Sequence, residues 1–375
     1  MRALFVGGWD GKPYGTRIIY THYWRYLTAN RVEVINGCIE RSRFSYSAVK
    51  HFPFIVLEMG WRWPRLLLKN LGKDFDFALV CFPSFYDVPL AKLLCVLKRK
   101  PLVYNPMDSQ YLALAKDRGL ARKGSLKDKI LWLYDLIPCR LADAITVHSE
   151  MHARQFVEMF GLNPRKLLVV PQGYLREKPA PRPRKFPGFV VGYVGSFIPH
   201  HGVEYVLRAA KILQDAEIQV SFKLMGGGQA LGKMRALANE LGLRNAEFLG
   251  AHEIPEMVDF AANDCDVLLG VFGTSVRTEI NVPGKIWEAL AFGKPLITVE
   301  SAGTRFIGLQ HQKHAWLVRQ ADEAGIAEAV RTLLEDTVLR RGLGEQALCL
   351  FKENYTVNRL GALFLAQLRE RGLIA

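Results

Sequence analysis

Short apolar runs alternate with helix-length segments along nearly the whole chain, and few folds accommodate that alternation. The runs Ala3 to Val6, Val32 to Ile35, Phe77 to Cys81, Leu102 to Tyr104, Ala144 to Val147 and Leu167 to Val170 are too short for helices and too apolar for loops. Strands joined by helices pair in parallel, because each crossover returns the chain to the same end of the sheet. The pattern pauses at 179 to 188, PAPRPRKFPG, where four prolines in ten residues can neither continue a helix nor donate to a central ladder. This stretch reads as an extended linker. The alternation then restarts, with strands over 189–195, 219–225, 246–249, 267–271 and 296–299, helices over 202–214 and 231–241, and a helical tail from Asp322 onward. The expectation is an α/β fold of two tandem, doubly wound, Rossmann-like domains facing a cleft. They span residues 1–178 and 189–350, and a C-terminal helix in 351–375 packs back on the first domain. A chain of 375 residues has material for two cores. Ligands of such sheets bind outside the carboxyl ends of the strands, so the loops there carry the function.

No segment approaches the roughly 18 consecutive apolar residues of a membrane span. The best runs, around Phe189 to Ile198 and Val267 to Val276, stop near ten. The opening MRALFVGGWDG has too short an apolar run for a signal peptide and meets Asp10 and Lys12 at once, so a cytoplasmic location is expected. Six cysteines lie far apart without a Cys-x-x-Cys pair, which predicts buried free thiols and no metal site.

The net charge of +14 is unevenly distributed. Residues 1–178 hold 28 Lys and Arg against 15 Asp and Glu, while residues 179–375 hold 22 against 21. A basic half attracts nucleic acid, an anionic membrane surface or a phosphorylated substrate. GWRWPRLLLKNLGK (60 to 73) mixes Trp61, Trp63 and leucines with Arg62, Arg65, Lys69 and Lys73, as interfacial helices do, and KDKILWLYDLIPCR (127 to 140) has the same character. Two ordinary amphipathic helices packed on a sheet would read alike. No nucleic-acid-binding motif accompanies the charge.

Three loops carry glycines where a strand gives way to a helix. In VGYVGSFIPHHGVEYVLRAAKIL (191 to 213) a strand ends at Gly195 and Ser196, His201 follows, and Gly202 opens an amphipathic helix. Glycine admits a phosphate to the backbone, and the helix start offers unpaired N–H groups. KLMGGGQALGKM (223 to 234) sets Gly226, Gly227 and Gly228 at a strand end, an entropic cost best explained by a close backbone approach. VGGWDGKPYGT (6 to 16) places Gly7 and Gly8 likewise in the first domain. TEINVPGKIWEALAFGKPLIT (278 to 298) has two Gly-Lys pairs but is no Walker A loop. Five positions before Gly284 and Gly293 stand Glu279 and Glu288, and the lysines precede Ile286 and Pro295. Neither domain opens on a clean G-x-G-x-x-G, which disfavours a dehydrogenase. His200-His201 suits a structural pair better than a metal site.

The order of a Gly-Ser strand end, His-Gly opening a helix, the Gly-rich turn, AEFLGAHEIPEMVDFAANDCDVLLG and NVPGKIWEALAFGKPLIT resembles the nucleotide-sugar domain of glycosyltransferase family 4, retaining enzymes of GT-B fold. AITVHSEMHARQF (144 to 156), KLLVVPQGYL (166 to 175) and KPLVYNPMDS (100 to 109) match more loosely. The resemblance implies a retaining, metal-independent glycosyltransferase of hexosyltransferase type. It implies no cofactor beyond a nucleotide-diphosphate sugar, such as a UDP-sugar, as co-substrate. It places Glu288 on the ribose hydroxyls, Lys285 on the departing diphosphate, Leu249 and Gly250 near the base, and Asp108 at the acceptor, although Asp108 as a helix cap is an equal alternative. Asp117 and Arg118 read as an ordinary ion pair. Glu279 stands one position out from the first glutamate of the family's pair. The usual basic pair near the first glycine turn is missing, leaving Arg277 and His201 as substitutes. The catalytic candidates are thus Lys285, Arg277, Asp108 and Glu279. A glycan or lipid-linked acceptor in envelope polysaccharide or glycolipid synthesis is expected, with peripheral contact to an anionic membrane. A catalytically inactive binding protein and a sugar-nucleotide epimerase are the alternatives.

Overall fold

The computed structural model of the chain describes residues 1–7, 18–39, 52–117 and 119–375. Gly8 and Arg118 lie outside the described residues. Two compact units emerge, Met1–Pro171 with Val357–Ala375, and Gln172–Thr356.

The first unit is built on β1 (Arg2–Phe5), β2 (Glu33–Asn36), β3 (Phe77–Cys81), β4 (Leu102–Asn105), β5 (Ala144–Val147) and β6 (Leu167–Val169), all parallel, in the order β2-β1-β3-β4-β5-β6. Between them run α1 (Ile18–Ala29), α2 (Phe52–Leu71), α3 (Val88–Lys98), α4 (Leu126–Leu141) and α5 (Glu150–Phe160). Every residue of β3 and β4 is buried. Right-handed crossovers put α2 to α5 on one face of the sheet and α1 on the other, so a central strand meets helices on both sides and is apolar throughout.

In the second unit β7 (Phe189–Val194), β8 (Val220–Met225), β9 (Ala246–Gly250), β10 (Val267–Leu269), β11 (Leu296–Val299) and β12 (Trp316–Val318) form another parallel sheet, in the order β12-β11-β10-β7-β8-β9. Its helices are α6 (Val203–Asp215), α7 (Leu231–Glu240), α8 (Ile254–Asp259), α9 (Val276–Ile280), α10 (Gly284–Phe292), α11 (Ala302–Phe306), α12 (Glu323–Glu335) and α13 (Thr337–Asn354). The short edge strand β12 and the one-turn helices α9 and α11 are absent from the sequence reading. Three to five residues carry too little periodicity to register.

The last helix, α14 (Val357–Glu370), belongs to the first unit and packs on α1. Gly361 is needed there: a Cβ would sit 2.3 Å from the Tyr26 carbonyl oxygen. Phe364 meets Tyr23 edge-on with ring centroids 5.1 Å apart. The Gln367 amide pairs with both backbone groups of Val169 on the edge strand β6, at 2.9 and 2.8 Å.

The stretch 179–188 is a clamp rather than a free linker, and the second unit begins at Gln172 rather than after it. Arg182 forks onto Asp264 at 3.0 and 2.7 Å and bonds Asp259, while Arg184 forks onto Asp266. Prolines keep the segment extended so that Arg182 and Arg184, two positions apart, reach Asp259, Asp264 and Asp266. Among the described cysteines Cys349 is exposed and the other five are buried, a departure from six buried thiols.

Candidate functional site

In the second unit the carboxyl ends of β7, β8 and β9 are laced together. Gly195 N–H donates to the Met225 carbonyl at 3.0 Å, Gly226 N–H to that of Gly250 at 2.7 Å, and Phe197 N–H to that of Gly227 at 2.8 Å. The glycines are dictated by this lacing. Gly226 has φ +146° and a Cβ there would lie 1.9 Å from the Gly195 carbonyl oxygen. Gly228 has φ +145° and a Cβ there would lie 2.6 Å from the Phe197 carbonyl oxygen. The close backbone approach expected from three glycines is therefore, at two of them, an approach of the protein to itself. Gly227 has ordinary room, its nearest neighbour being Ala251 Cβ at 3.5 Å, so packing does not require a glycine there.

Lys285, in the first turn of α10, brings a cation to this corner. Its Nζ lies 3.6 Å from the centre of the Tyr193 ring, over the π face, and a Cβ on Gly195 would meet the lysine tip at 3.1 Å. The same nitrogen stands 3.3 Å from His201 Nδ1. That contact is not a hydrogen bond from the lysine. His201 Nδ1 is 2.6 Å from the Ser196 carbonyl oxygen, which only accepts, so Nδ1 carries the hydrogen. The ammonium thus faces an N–H. Burial first, then the Lys285 charge, with His200 and Arg277 adding to it, hold His201 well below the ordinary histidine pKa. Burial likewise depresses Lys285, opposed by Glu288. Among the described residues the carboxylate whose charge acts on Lys285 is that of Glu288, one turn along the helix.

Glu288 sits one turn further along α10 and is buried. Its Oε2 accepts a short hydrogen bond from the Tyr174 hydroxyl, and Tyr174 packs edge-on against Phe292 of the same helix. Burial raises the Glu288 carboxyl to about 7, against the lowering effects of Tyr174, Arg176 and Lys285. Tyr174 and Arg176 escaped the sequence reading. Their only signal is position, since both follow β6 in the loop PQGYLRE at 171–177.

Leu249 and Gly250 close β9. The Leu249 carbonyl accepts from His252 Nε2 at 3.0 Å, while His252 Nδ1 faces Glu256 at 2.8 Å. Both partners are acceptors, and the Glu256 bond leads in raising the His252 pKa.

Glu279 goes elsewhere. Its Oε1 accepts from the first N–H of α11, Ala302, at 2.8 Å and from Arg305 at 3.4 Å, and its Oε2 accepts from Gln320 at 3.0 Å. Both oxygens are engaged, tying α9 to α11 and to Gln320. Arg277 is partly buried in α9, whose start is capped by Ser275, and acts on His201 through its charge.

In the first unit Asp108 follows β4 through Met107, a residue at φ +64° held by the buried Asn105, whose Oδ1 accepts from Met107 N–H at 2.8 Å. Ser109 caps the short π-helical turn Leu112–Asp117, accepting from Leu112 N–H at 3.1 Å and donating to the buried Asp135. Asp108 Oδ1 lies 3.8 Å from His152 Nε2, and its charge partly offsets the burial that lowers His148. Both histidines lie in HSEMH directly after β5, where the rule that strand ends carry function would have found them. Gly7 is required by φ +132° and by Tyr20, whose hydroxyl a Cβ would approach to 2.6 Å. Among the described residues no group of three or more His, Cys, Asp and Glu is arranged to hold a metal ion.

Two parallel six-stranded α/β units define the fold class, that of the GT-B glycosyltransferases. The Anabaena protein Alr3699/HepE, solved in complex with UDP-glucose, matches 99% of this chain and 100% of its own at a TM-score of 0.68 and 16% identity. A sucrose-phosphate synthase from Thermosynechococcus elongatus matches 98% of both chains at 0.67 and 15%. By sequence, residues 188–336 match the family model "Glycosyl transferases group 1". The lipopolysaccharide core biosynthesis glycosyltransferase LpsD of Rhizobium meliloti (strain 1021) is 28% identical over 155 residues, 41% of this chain and 42% of that protein. The chain thus spans about two fifths of the length of the curated relatives it matches.

Proposed function

We propose that the protein transfers a hexose from a nucleoside-diphosphate sugar of the UDP class to a glycan or lipid-linked acceptor, with retention at the anomeric carbon. The observation that carries this is Lys285: a partly buried lysine over the Tyr193 ring, set beside Gly195 and one turn before Glu288. Bound there, a diphosphate would give the lysine a direct counter-ion, and Glu288 would accept from the ribose hydroxyls. In the transfer the bond from C1 to the diphosphate oxygen breaks with its electron pair on the phosphate. The acceptor oxygen bonds C1 from the same face, and its proton passes to the departing phosphate. Lys285, Arg277 and the N–H groups at the start of α10 meet the charge that develops, so the reading needs no metal and no protein nucleophile. Gly195, Ser196, His201, Gly226, Gly227, Gly228, Leu249 and Gly250 are assigned to the donor, and within the first unit Asp108 with His152 is assigned to the acceptor. The UDP-glucose complex of Alr3699/HepE supports the donor class, and LpsD supports an envelope acceptor. We place the protein in the cytoplasm, in peripheral contact with an anionic membrane. Among the described residues no helix is long and apolar enough to cross one.

Purified protein incubated with UDP-, GDP- and ADP-sugars, with and without lipid-linked acceptors, should release nucleotide from a UDP-sugar and yield a product of retained configuration by NMR. Absence of both binding and release with every donor rejects the proposal. Epimerised sugar without release points to an epimerase. The engagement of Glu279 with α11 favours, as second reading, a protein that binds the donor without turning it over.

A further inference from the structure

Three neighbouring helices of the first unit turn apolar side chains to solvent. On α2, Leu57, Trp61 and Leu68 follow one another at helical spacing, and Leu68 is 75% exposed. On α3, Leu93, Val96 and Leu97 do the same, and on α4, Leu126 and Ile137. With Leu71 and Leu133, these helices supply ten of the sixteen exposed large hydrophobic side chains among the described residues. The helices lie side by side, α2 against α3 and α3 against α4, so the stripes form one surface. Surface of this size without a partner marks an interaction site.

The charges identify the partner. The acids of these three helices, Glu58, Asp128 and Asp135, are all buried. Arg65, Lys129 and Arg140 are exposed, as is Arg99 just past α3, and the Arg65 guanidinium lies 5.0 Å over the Trp61 ring. The first unit holds 29 Lys and Arg against 15 Asp and Glu, whereas the second holds 21 of each, so the whole net charge of the chain resides in the unit bearing this surface. Leucines ringed by cations, with a tryptophan at the boundary and no outward acid on the helices, complement a body that is apolar within and anionic at its rim.

We propose that the outer face of α2, α3 and α4 docks on an anionic lipid bilayer. This names the surface that makes the peripheral contact proposed above, and it is independent of the donor-site assignment. Not every basic residue of the 60–73 segment takes part. Arg62 is fully buried, paired with Asp87 and Glu58, and Lys69 and Lys73 bond the carbonyls of Cys38 and Asn36 after and at the end of β2.

Sedimentation of the full chain with lipid vesicles tests the proposal. The protein should pellet with mixed phosphatidylcholine–phosphatidylglycerol vesicles, stay in solution with phosphatidylcholine alone, and be released as salt rises. The variant Leu68→Glu/Val96→Glu/Leu126→Glu should lose at least about tenfold in partitioning, and Arg65→Ser/Lys129→Ser about fivefold per cation. All these positions are exposed, so thermal melting and UDP titration should match the parent chain. Parent and apolar variant binding the vesicles equally, or no parent binding at low salt, overturns the proposal. So does a parent that dimerises while the variant stays monomeric, with vesicles ignored by both, since the face then joins two copies. Failure of UDP binding in the parent with vesicle binding intact would reject the catalytic reading and leave this one standing.

Discussion

Replacing Tyr174 by Phe isolates one atom of the donor site. The Tyr174 hydroxyl donates to Glu288 Oε2 in surroundings where burial has already raised that carboxyl to about 7. A hydrogen bond to a charged group contributes about 1.5–3 kcal/mol, and one pKa unit corresponds to about 1.36 kcal/mol, so its loss should raise the Glu288 midpoint by about one to two units. In the proposed donor site the ribose hydroxyls donate to Glu288, and an ionised carboxylate accepts more strongly than a neutral one, so affinity should rise with pH through the midpoint. At pH 7 half of the parent molecules carry the carboxylate, against about a tenth to a hundredth in Tyr174→Phe, a weakening of about fivefold to fiftyfold. The gap should close by about pH 9.5, where both are mostly ionised. Calorimetric titration with UDP across pH 5.5 to about 9.5 reads this directly. A loss of affinity that stays constant with pH, or a midpoint that falls, would refute the reasoning.

Lys285→Met should weaken UDP binding by at least about tenfold without lowering the melting temperature, because an apolar chain of similar volume replaces a desolvated cation; calorimetry and thermal denaturation check both halves. Gly226→Ala should destabilise the second unit by more than about 3 kcal/mol in urea titration, since a methyl group would overlap the Gly195 carbonyl in a left-handed segment. Asp87→Ala removes the fully buried one of the two carboxylates that pair with Arg62, leaving Glu58 at 3.4 Å, and should cost about 3–5 kcal/mol, whereas the double change Arg62→Met/Asp87→Leu should recover most of it in a double-mutant cycle. Glu279→Gln retains the acceptor for Ala302 N–H, so donor binding should persist within about threefold; a larger loss measured by UDP titration would give this carboxylate a direct part in donor binding.

The strand–helix alternation, by itself, determined the class of fold. Parallel strands buried on both faces must be nearly continuous apolar runs, and such runs as FALVC and LVYN are visible without coordinates. It also located the loops that matter, because strand ends follow from strand positions, and Lys285 and Glu288 were legible as two residues one turn apart on a helix that starts after a proline. Tertiary structure alone decided what those residues meet. Nothing local distinguishes Glu279 from Glu288; the first is taken up by α11 and the second by Tyr174, partners 23 and 114 positions away in the chain. The same holds for the basic helices. Their periodicity shows an amphipathic segment, but which stripe faces the sheet depends on long-range packing, and that packing buries Arg62 while leaving Leu68 in solvent. Burial and pairing arise from contacts between distant segments, so a sequence can nominate a charged residue for a role and only the folded chain can assign it.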